Sequence, residues 1–326
     1  MPANLPPQYF EVEKRFRSAK DTADKIELLE EMLAIMPKHK GTDHLRAELR
    51  TRIAKLNQTL GKKAAIHRAS MLIEKEGAAQ IMVIGPTNAG KSQLVASITN
   101  ASPIVAEYPF TTHQPTPGMM EFENIKIQLI DTPPLVPQYI EPWFRHMLIR
   151  ANALLVVIDA NDTPLNQMEA TIKQLKSLRM RLDKMKDEED EDIILYDKKA
   201  LIVANKIDLP KARQNYIELR RQYHDQLPVV AISAKEGNGL ENMKSEIYQI
   251  LNIIRVYTKT PGNKPDFDDP IILEKGSTLE DAAADVHKDF LAKLKYARVW
   301  GSGKHDGVMV KRDHILQDGD IIELHL

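Results

Sequence analysis

The chain has no cysteine. Disulfides, thiolate metal sites and cysteine nucleophiles are excluded, and the composition suits a reducing compartment. Long apolar runs are missing too: no stretch of about 18 such residues occurs, so no membrane-spanning helix is expected. Neither charge sign is in excess, since 45 Lys and Arg against 46 Asp and Glu leave a formal net charge of −1. That balance argues against a uniform nucleic-acid coat, although it averages over domains that can differ. Met1–Pro7 holds no charged stretch leading into an apolar one, so no secretory leader is expected and the reading is a soluble cytoplasmic protein. What is present is ordinary for a globular protein, 43% apolar and 28% charged over 326 residues, a length that suits two or three domains.

Residues 1–78 read as helical. Tyr9, Val12, Phe16, Ala19, Ala23, Ile26, Leu29 and Met32 recur at spacings of three and four as one apolar stripe. Pro37 to Gly41 breaks it, Thr42 is placed as an N-cap, and Leu45, Leu49, Ile53, Leu56 and Leu60 form a second stripe. The expectation is an N-terminal helical hairpin whose stripes pack on each other or on the next domain.

From residue 79 to 254 the pattern changes to α/β. Short apolar runs at 80–84, 125–130, 153–158, 201–204 and 229–232 alternate with helical stretches such as 94–98 and 168–182. Continuous apolar strands separated by helices indicate a mainly parallel sheet covered on both faces. The acidic run from Lys186 to Asp192 reads as a solvated loop. Residues 255–326 form a third region, opened by a Pro-, Gly- and Asp-rich break at 258–270. A strand at 271–274, a helix at 279–294 and strands at 296–300, 308–311 and 321–326 describe a small α+β domain.

Gly85, Pro86, Thr87, Asn88, Ala89, Gly90, Lys91 and Ser92 fit the pattern G-x-x-x-x-G-K-S/T directly after a strand and before a helix. In this setting glycines let successive N–H groups point at phosphate oxygens, and the helix N-terminus adds positive potential. These residues, with Gln93 behind them, are the expected phosphate cradle of a P-loop. Lys91 is placed to reach the β- and γ-phosphates and the Ser92 hydroxyl to hold Mg²⁺. Asn205, Lys206 and Asp208 form N-K-x-D at another strand end, where a carboxylate pairs with guanine's ring N–H and amine but finds no partner on adenine. The Lys206 stem can cover the ring. Ser233, Ala234 and Lys235 follow the next strand, and their backbone N–H groups are placed for the guanine oxygen. Between these motifs, Asp131 ends a strand and is placed to hold Mg²⁺ through water. Thr112, preferred to its neighbour Thr111, is the expected switch hydroxyl that meets Mg²⁺ only when a γ-phosphate is present. Lys91 and Thr112 are the candidate catalytic residues.

Tyr108-Pro109-Phe110-Thr111-Thr112, the P-loop asparagine, N-K-I-D and S-A-K together resemble the Obg-related GTPases. The similarity is greatest to the developmentally regulated GTP-binding protein family. It is carried further by Pro37-Lys38-His39-Lys40-Gly41-Thr42 and by segments running from Arg255 through Lys264-Pro265-Asp266-Phe267 to Tyr296-Ala297-Arg298-Val299-Trp300-Gly301. This last part resembles the TGS domain, a β-grasp module. The resemblance spans about residue 35 to the end and implies GTP and GDP as ligands and a role around ribosomes. In related GTPases an asparagine at the Asn88 position helps hold K⁺ beside the phosphates; otherwise Asn88 only hydrogen-bonds its loop. Two departures stand out. The family's D-x-P-G has Pro134 in place of its glycine, which removes an N–H donor to the γ-phosphate. The extra domain that family members insert into the G domain is absent.

Two readings follow. One is a GTPase switch in a translation- or ribosome-related process. The other is a GTP/GDP-binding interaction module with little intrinsic hydrolysis, towards which Pro134 points. A P-loop ATPase is disfavoured by Asp208. RNA or ribosome contact is expected either through the C-terminal domain, where Lys293, Lys295, Arg298, Lys304, Lys311 and Arg312 surround Tyr296 and Trp300, or through the basic helical hairpin.

Overall fold

The computed structural model describes residues 5–19, 22–37, 42–59, 73–99, 115–135, 142–183, 185, 195–286, 294–302 and 305–325. The chain divides into two compact units, Met1–Met119 with Gln128–Leu240, and Met120–Ile127 with Glu241–Leu326.

Among the described residues the first unit opens with three helices, α1 (Pro7–Ser18), α2 (Thr22–Ile35) and α3 (Asp43–Thr59). The stripe from Tyr9 to Met32 is therefore two helices, not one. Ser18 turns its hydroxyl onto the Arg15 carbonyl at 2.9 Å, and Ala19 is extended at φ −66 and ψ 132. A serine that competes for a backbone carbonyl favours a helix end, and here it supplies one. The apolar spacing still holds: Tyr9, Val12, Leu29, Met32, Met36 and Leu49 share one buried cluster. Thr42 is buried just before α3 and donates from its hydroxyl to the Pro37 carbonyl at 2.6 Å.

The sheet that follows is built on β1 (Ala79–Ile84), β4 (Ala153–Asp159) and β6 (Tyr196–Asn205). Every residue of β1 is buried, as a strand covered on both faces requires. β2 (Thr116–Phe122), β3 (Ile125–Asp131), β5 (Met180–Leu182) and β7 (Val229–Ala231) complete seven strands in the order β2-β3-β1-β4-β6-β5, with β7 also on β6. β1 with β4, β4 with β6, β6 with β5 and β6 with β7 all pair in parallel. The helices are α4 (Lys91–Ile98), α5 (Pro142–Arg150), α6 (Pro164–Ser177) and α7 (Ala212–Tyr223). Met82, Val156 and Ile202 of the sheet share a core with Phe144 and Leu148 of α5, Met168 of α6 and Leu219 of α7.

Several elements differ from the sequence reading. The helix at 168–182 stops at Ser177, because Arg179 takes a left-handed φ of 60 and the chain re-enters the sheet as β5. β2, β5 and a later strand at Ile253–Thr258 have no counterpart in that reading. The acidic run at Lys186 to Asp192 lies outside the described residues.

In the second unit, α8 (Leu240–Leu251) precedes a five-stranded sheet of β8 (Ile253–Thr258), β9 (Asp266–Glu274), β10 (Tyr296–Trp300), β11 (Val308–Val310) and β12 (Asp320–His325). Its order is β11-β10-β12-β8-β9, with β12 and β8 parallel and the β11–β10, β10–β12 and β8–β9 pairs antiparallel. β9 begins five residues ahead of the expected strand and contains Pro270, which an edge strand tolerates because one side of its ladder is unpaired. Leu279, Ala282 and Ala283 of α9 (Leu279–Val286) cover Val256, Ala297, Val299 and Ile322. The helix expected to reach residue 294 is described only as far as Val286. Among the described residues no helix is long and apolar enough to cross a membrane.

Candidate functional site

The motif residues meet at the carboxyl ends of β1, β3, β4, β6 and β7 in the first unit, where parallel sheets place their ligands. The loop after β1 turns at Gly85, with φ +145. A Cβ there would fall 2.2 Å from the Val157 carbonyl oxygen, so no other residue fits. Asn88 is exposed at a left-handed φ of 59. Gly90, at φ +89, leaves room for Asn205, whose Nδ2 would lie 2.3 Å from a Cβ.

Lys91 begins α4 and is 7% exposed. Its Nζ donates to the carbonyls of Gly85 at 3.1 Å and Pro86 at 2.8 Å. Burial pulls the ammonium down to about 8, against the upward pull of Asp131. Ser92 Oγ donates to Asp131 Oδ2 at 2.6 Å. Asp131 is fully buried at the end of β3, and burial pushes its carboxyl up despite that hydrogen bond and the charge of Lys91. Its Oδ1 is buried with no hydrogen-bond partner among the described residues. A hydroxyl beside a carboxylate with one free oxygen suits Mg²⁺, which binds through one or two protein oxygens and completes its shell with phosphate and water. Gln93 is exposed on α4. Thr112 and Thr111 lie outside the described residues.

Asn205 joins three motifs. It is 2% exposed, its Nδ2 donates to the Ala89 carbonyl at 2.9 Å, and its Oδ1 accepts from the Ala234 N–H at 3.0 Å. Ser233 is buried and its Oγ accepts from the Glu236 N–H at 3.1 Å, which shapes the turn. Lys235 points to solvent, with a side chain 79% exposed. Asp208 is exposed, three residues beyond the end of β6.

The third motif is also drawn to the P-loop. Thr132 Oγ1 donates to the Val83 carbonyl at 2.7 Å, and the Leu135 N–H donates to the Gly85 carbonyl at 3.3 Å. The N–H that follows Pro134 is therefore already engaged. One residue the motif reading missed stands among them: Asp159, at the end of β4, whose Oδ2 lies 2.5 Å from Lys206 Nζ. The signal available was its position, since it ends an apolar strand as Asn205 and Asp131 do.

The family of 50S ribosome-binding GTPases matches residues 80–206, and the TGS domain family matches residues 254–326. A GTP-binding protein of Methanocaldococcus jannaschii is 29% identical, over 92% of this chain and 92% of its own. A developmentally-regulated GTP-binding protein 2 homolog of Dictyostelium discoideum is 28% identical, over 92% of this chain and 98% of its own. Ribosome-interacting GTPase 1 of Saccharomyces cerevisiae is 25% identical, over 93% of this chain and 98% of its own. These alignments run to 361, 358 and 373 positions, longer than the chain, so the relatives carry residues that this protein lacks. The chain is thus a P-loop GTPase-domain protein with a C-terminal TGS domain, related along most of its length to the developmentally regulated GTP-binding proteins.

Proposed function

We propose that the protein binds GTP and GDP with Mg²⁺ in this site, hydrolyses GTP slowly, and acts as a switch in a ribosome-related process. The observation that carries the reading is Asn205, whose amide ties the P-loop to the S-A-K turn and so closes one pocket from three sequence motifs. Within that pocket Lys91 exchanges the Gly85 and Pro86 carbonyls for phosphate oxygens. Asp208 accepts from guanine, and the Ala234 and Lys235 backbone frames the base. Ser92 and Asp131 hold Mg²⁺, which when bound neutralises charge on the β- and γ-phosphates. Thr112 is the proposed switch hydroxyl.

The reading of a binding module with little hydrolysis is favoured by the third motif. Pro134 has no N–H, the Leu135 N–H is taken by Gly85, and the Leu135 side chain is apolar and buried, so neither orients a water. A K⁺ ion held at Asn88 is the proposed compensation, supplying charge where an arginine finger acts in other enzymes. Calorimetric titration with GDP and ADP tests the pocket: equal affinity removes the guanine assignment. Single-turnover hydrolysis in K⁺ and in Na⁺, with and without ribosomes, tests the switch. Equal rates in the two salts remove K⁺, and failure to co-sediment with ribosomes at low salt in every nucleotide state removes the ribosomal role, whether assigned to the TGS domain or to the basic N-terminal helices.

A further inference from the structure

Asp159 ends β4, and the parallel register sets it beside Asn205 of β6. The next residue of that strand, Lys206, turns left-handed at φ 65. The turn sends its side chain back over the end of β4, where Nζ meets Asp159 Oδ2 at 2.5 Å. The other carboxylate oxygen accepts from the Asn161 N–H at 2.9 Å. The strand end is itself fastened. Asp159 N–H donates to Gln167 Oε1 of α6 at 3.0 Å, Ala160 N–H to the Asn205 carbonyl at 2.9 Å, and Asn215 Nδ2 of α7 to the Ala160 carbonyl at 2.8 Å.

The two side chains are 31% and 16% exposed, a setting in which an ion pair contributes little to stability. Its effect is on freedom. A lysine stem has four rotatable bonds, and fixing it on a ligand costs rotamer entropy that a preset stem has already lost. We propose that Asp159 is a positioning residue for the nucleotide base: it holds Lys206 so that the methylene stem stands ready as an apolar floor for the guanine ring. The inference rests on the guanine-pocket reading above. It assigns to β4 a part in base recognition that no motif of the chain carries.

Release of fluorescently labelled GDP, and competition of that GDP by Mg²⁺-tripolyphosphate, test it on the full chain. Asp159→Ala should release GDP about tenfold faster while tripolyphosphate affinity is unchanged, because the phosphate cradle is untouched. Asp159→Asn, which keeps shape and the Asn161 contact, should fall between. In a Lys206→Ala background, Asp159→Ala should add nothing further. Unchanged GDP release, an equal loss of tripolyphosphate binding, or a full effect in the Lys206→Ala background would each overturn the proposal. A wild-type protein that does not prefer GDP to ADP overturns the pocket reading instead, so the two failures are told apart.

Discussion

The carboxylate of Glu31 on α2 and the guanidinium of Arg145 on α5 meet as a two-pronged pair, 2.7 Å and 3.1 Å long, with Glu31 only 1% exposed. Tyr196 OH donates to the same carboxylate at 2.6 Å, and Arg15 approaches it at 3.3 Å. His146 meets Glu30 one position along each helix, at 3.2 Å. α5 is the next described helix after the third motif, so these contacts fasten the N-terminal helices to the sheet unit there. Burial alone raises the Glu31 carboxyl, but the hydrogen bond and charge of Arg145, with Tyr196, bring it below its ordinary value.

Removing one partner leaves the other charge buried. Glu31→Ala should therefore destabilise the protein by about 3–5 kcal/mol, whereas Glu31→Leu combined with Arg145→Met should recover most of that loss. Denaturant unfolding of the wild type and the two variants measures both. A folded carboxyl held below its unfolded value contributes stability that is present above the unfolded value and is lost as pH falls through the folded one. The wild-type advantage over the double variant should accordingly shrink on acidification, and a constant difference would show that the pair is not ionised.

Asn205→Ala leaves the Ala89 carbonyl and the Ala234 N–H without their partner. Two buried backbone groups at about 1–3 kcal/mol each make this the most damaging single change expected at the site. GDP affinity should fall together with thermal stability. Asn205→Asp retains the acceptor for Ala234 but sets a carboxylate against the Ala89 carbonyl. It should be no better than alanine, as measured by GDP titration.

Pro134→Gly restores an N–H at the third motif. If the missing donor weakens the contact with the γ-phosphate, the preference for GTP over GDP should rise by about 1.5–3 kcal/mol, the worth of one charge-assisted hydrogen bond. The ratio of GTP to GDP dissociation constants is the measurement. No change would mean that the proline is compensated elsewhere.

Lys198 of β6 donates to the carbonyls of Ile149 at 2.6 Å and Ala151 at 2.9 Å, closing the end of α5. Burial pulls its ammonium from 10.5 down to about 8. A lysine with a lowered folded value burdens the folded state fully below pH 8, and the burden lifts as pH climbs from 8 towards 10.5. Relative to Lys198→Met, the wild type should gain about 2 kcal/mol between about pH 7.5 and about pH 9.5. Parallel unfolding curves for the two proteins over that interval check the sign.

The P-loop, N-K-I-D and S-A-K were legible because their chemistry depends on neighbours in sequence: glycines at a turn, a cation one residue on, a carboxylate at a strand end. Asp159 showed only its place at a strand end, and its partner becomes visible only when the parallel register brings it beside Asn205. Glu31 reads as one more solvated charge on an amphipathic helix until Arg145, 114 positions away, covers it. β5 was hidden because Met180 and Leu182 continue the apolar spacing of α6, and the left-handed Arg179 that ends the helix carries no glycine to announce it. β8 was hidden in the same way, following α8 with only the left-handed Asn252 between them.

Lys91 resting on the carbonyls of its own loop bears on how that loop keeps its shape. An ammonium in a dry loop with nothing to hold would pull water in or force the loop apart. Here the Gly85 and Pro86 carbonyls satisfy it from within the same turn, so the buried charge helps to hold the loop folded.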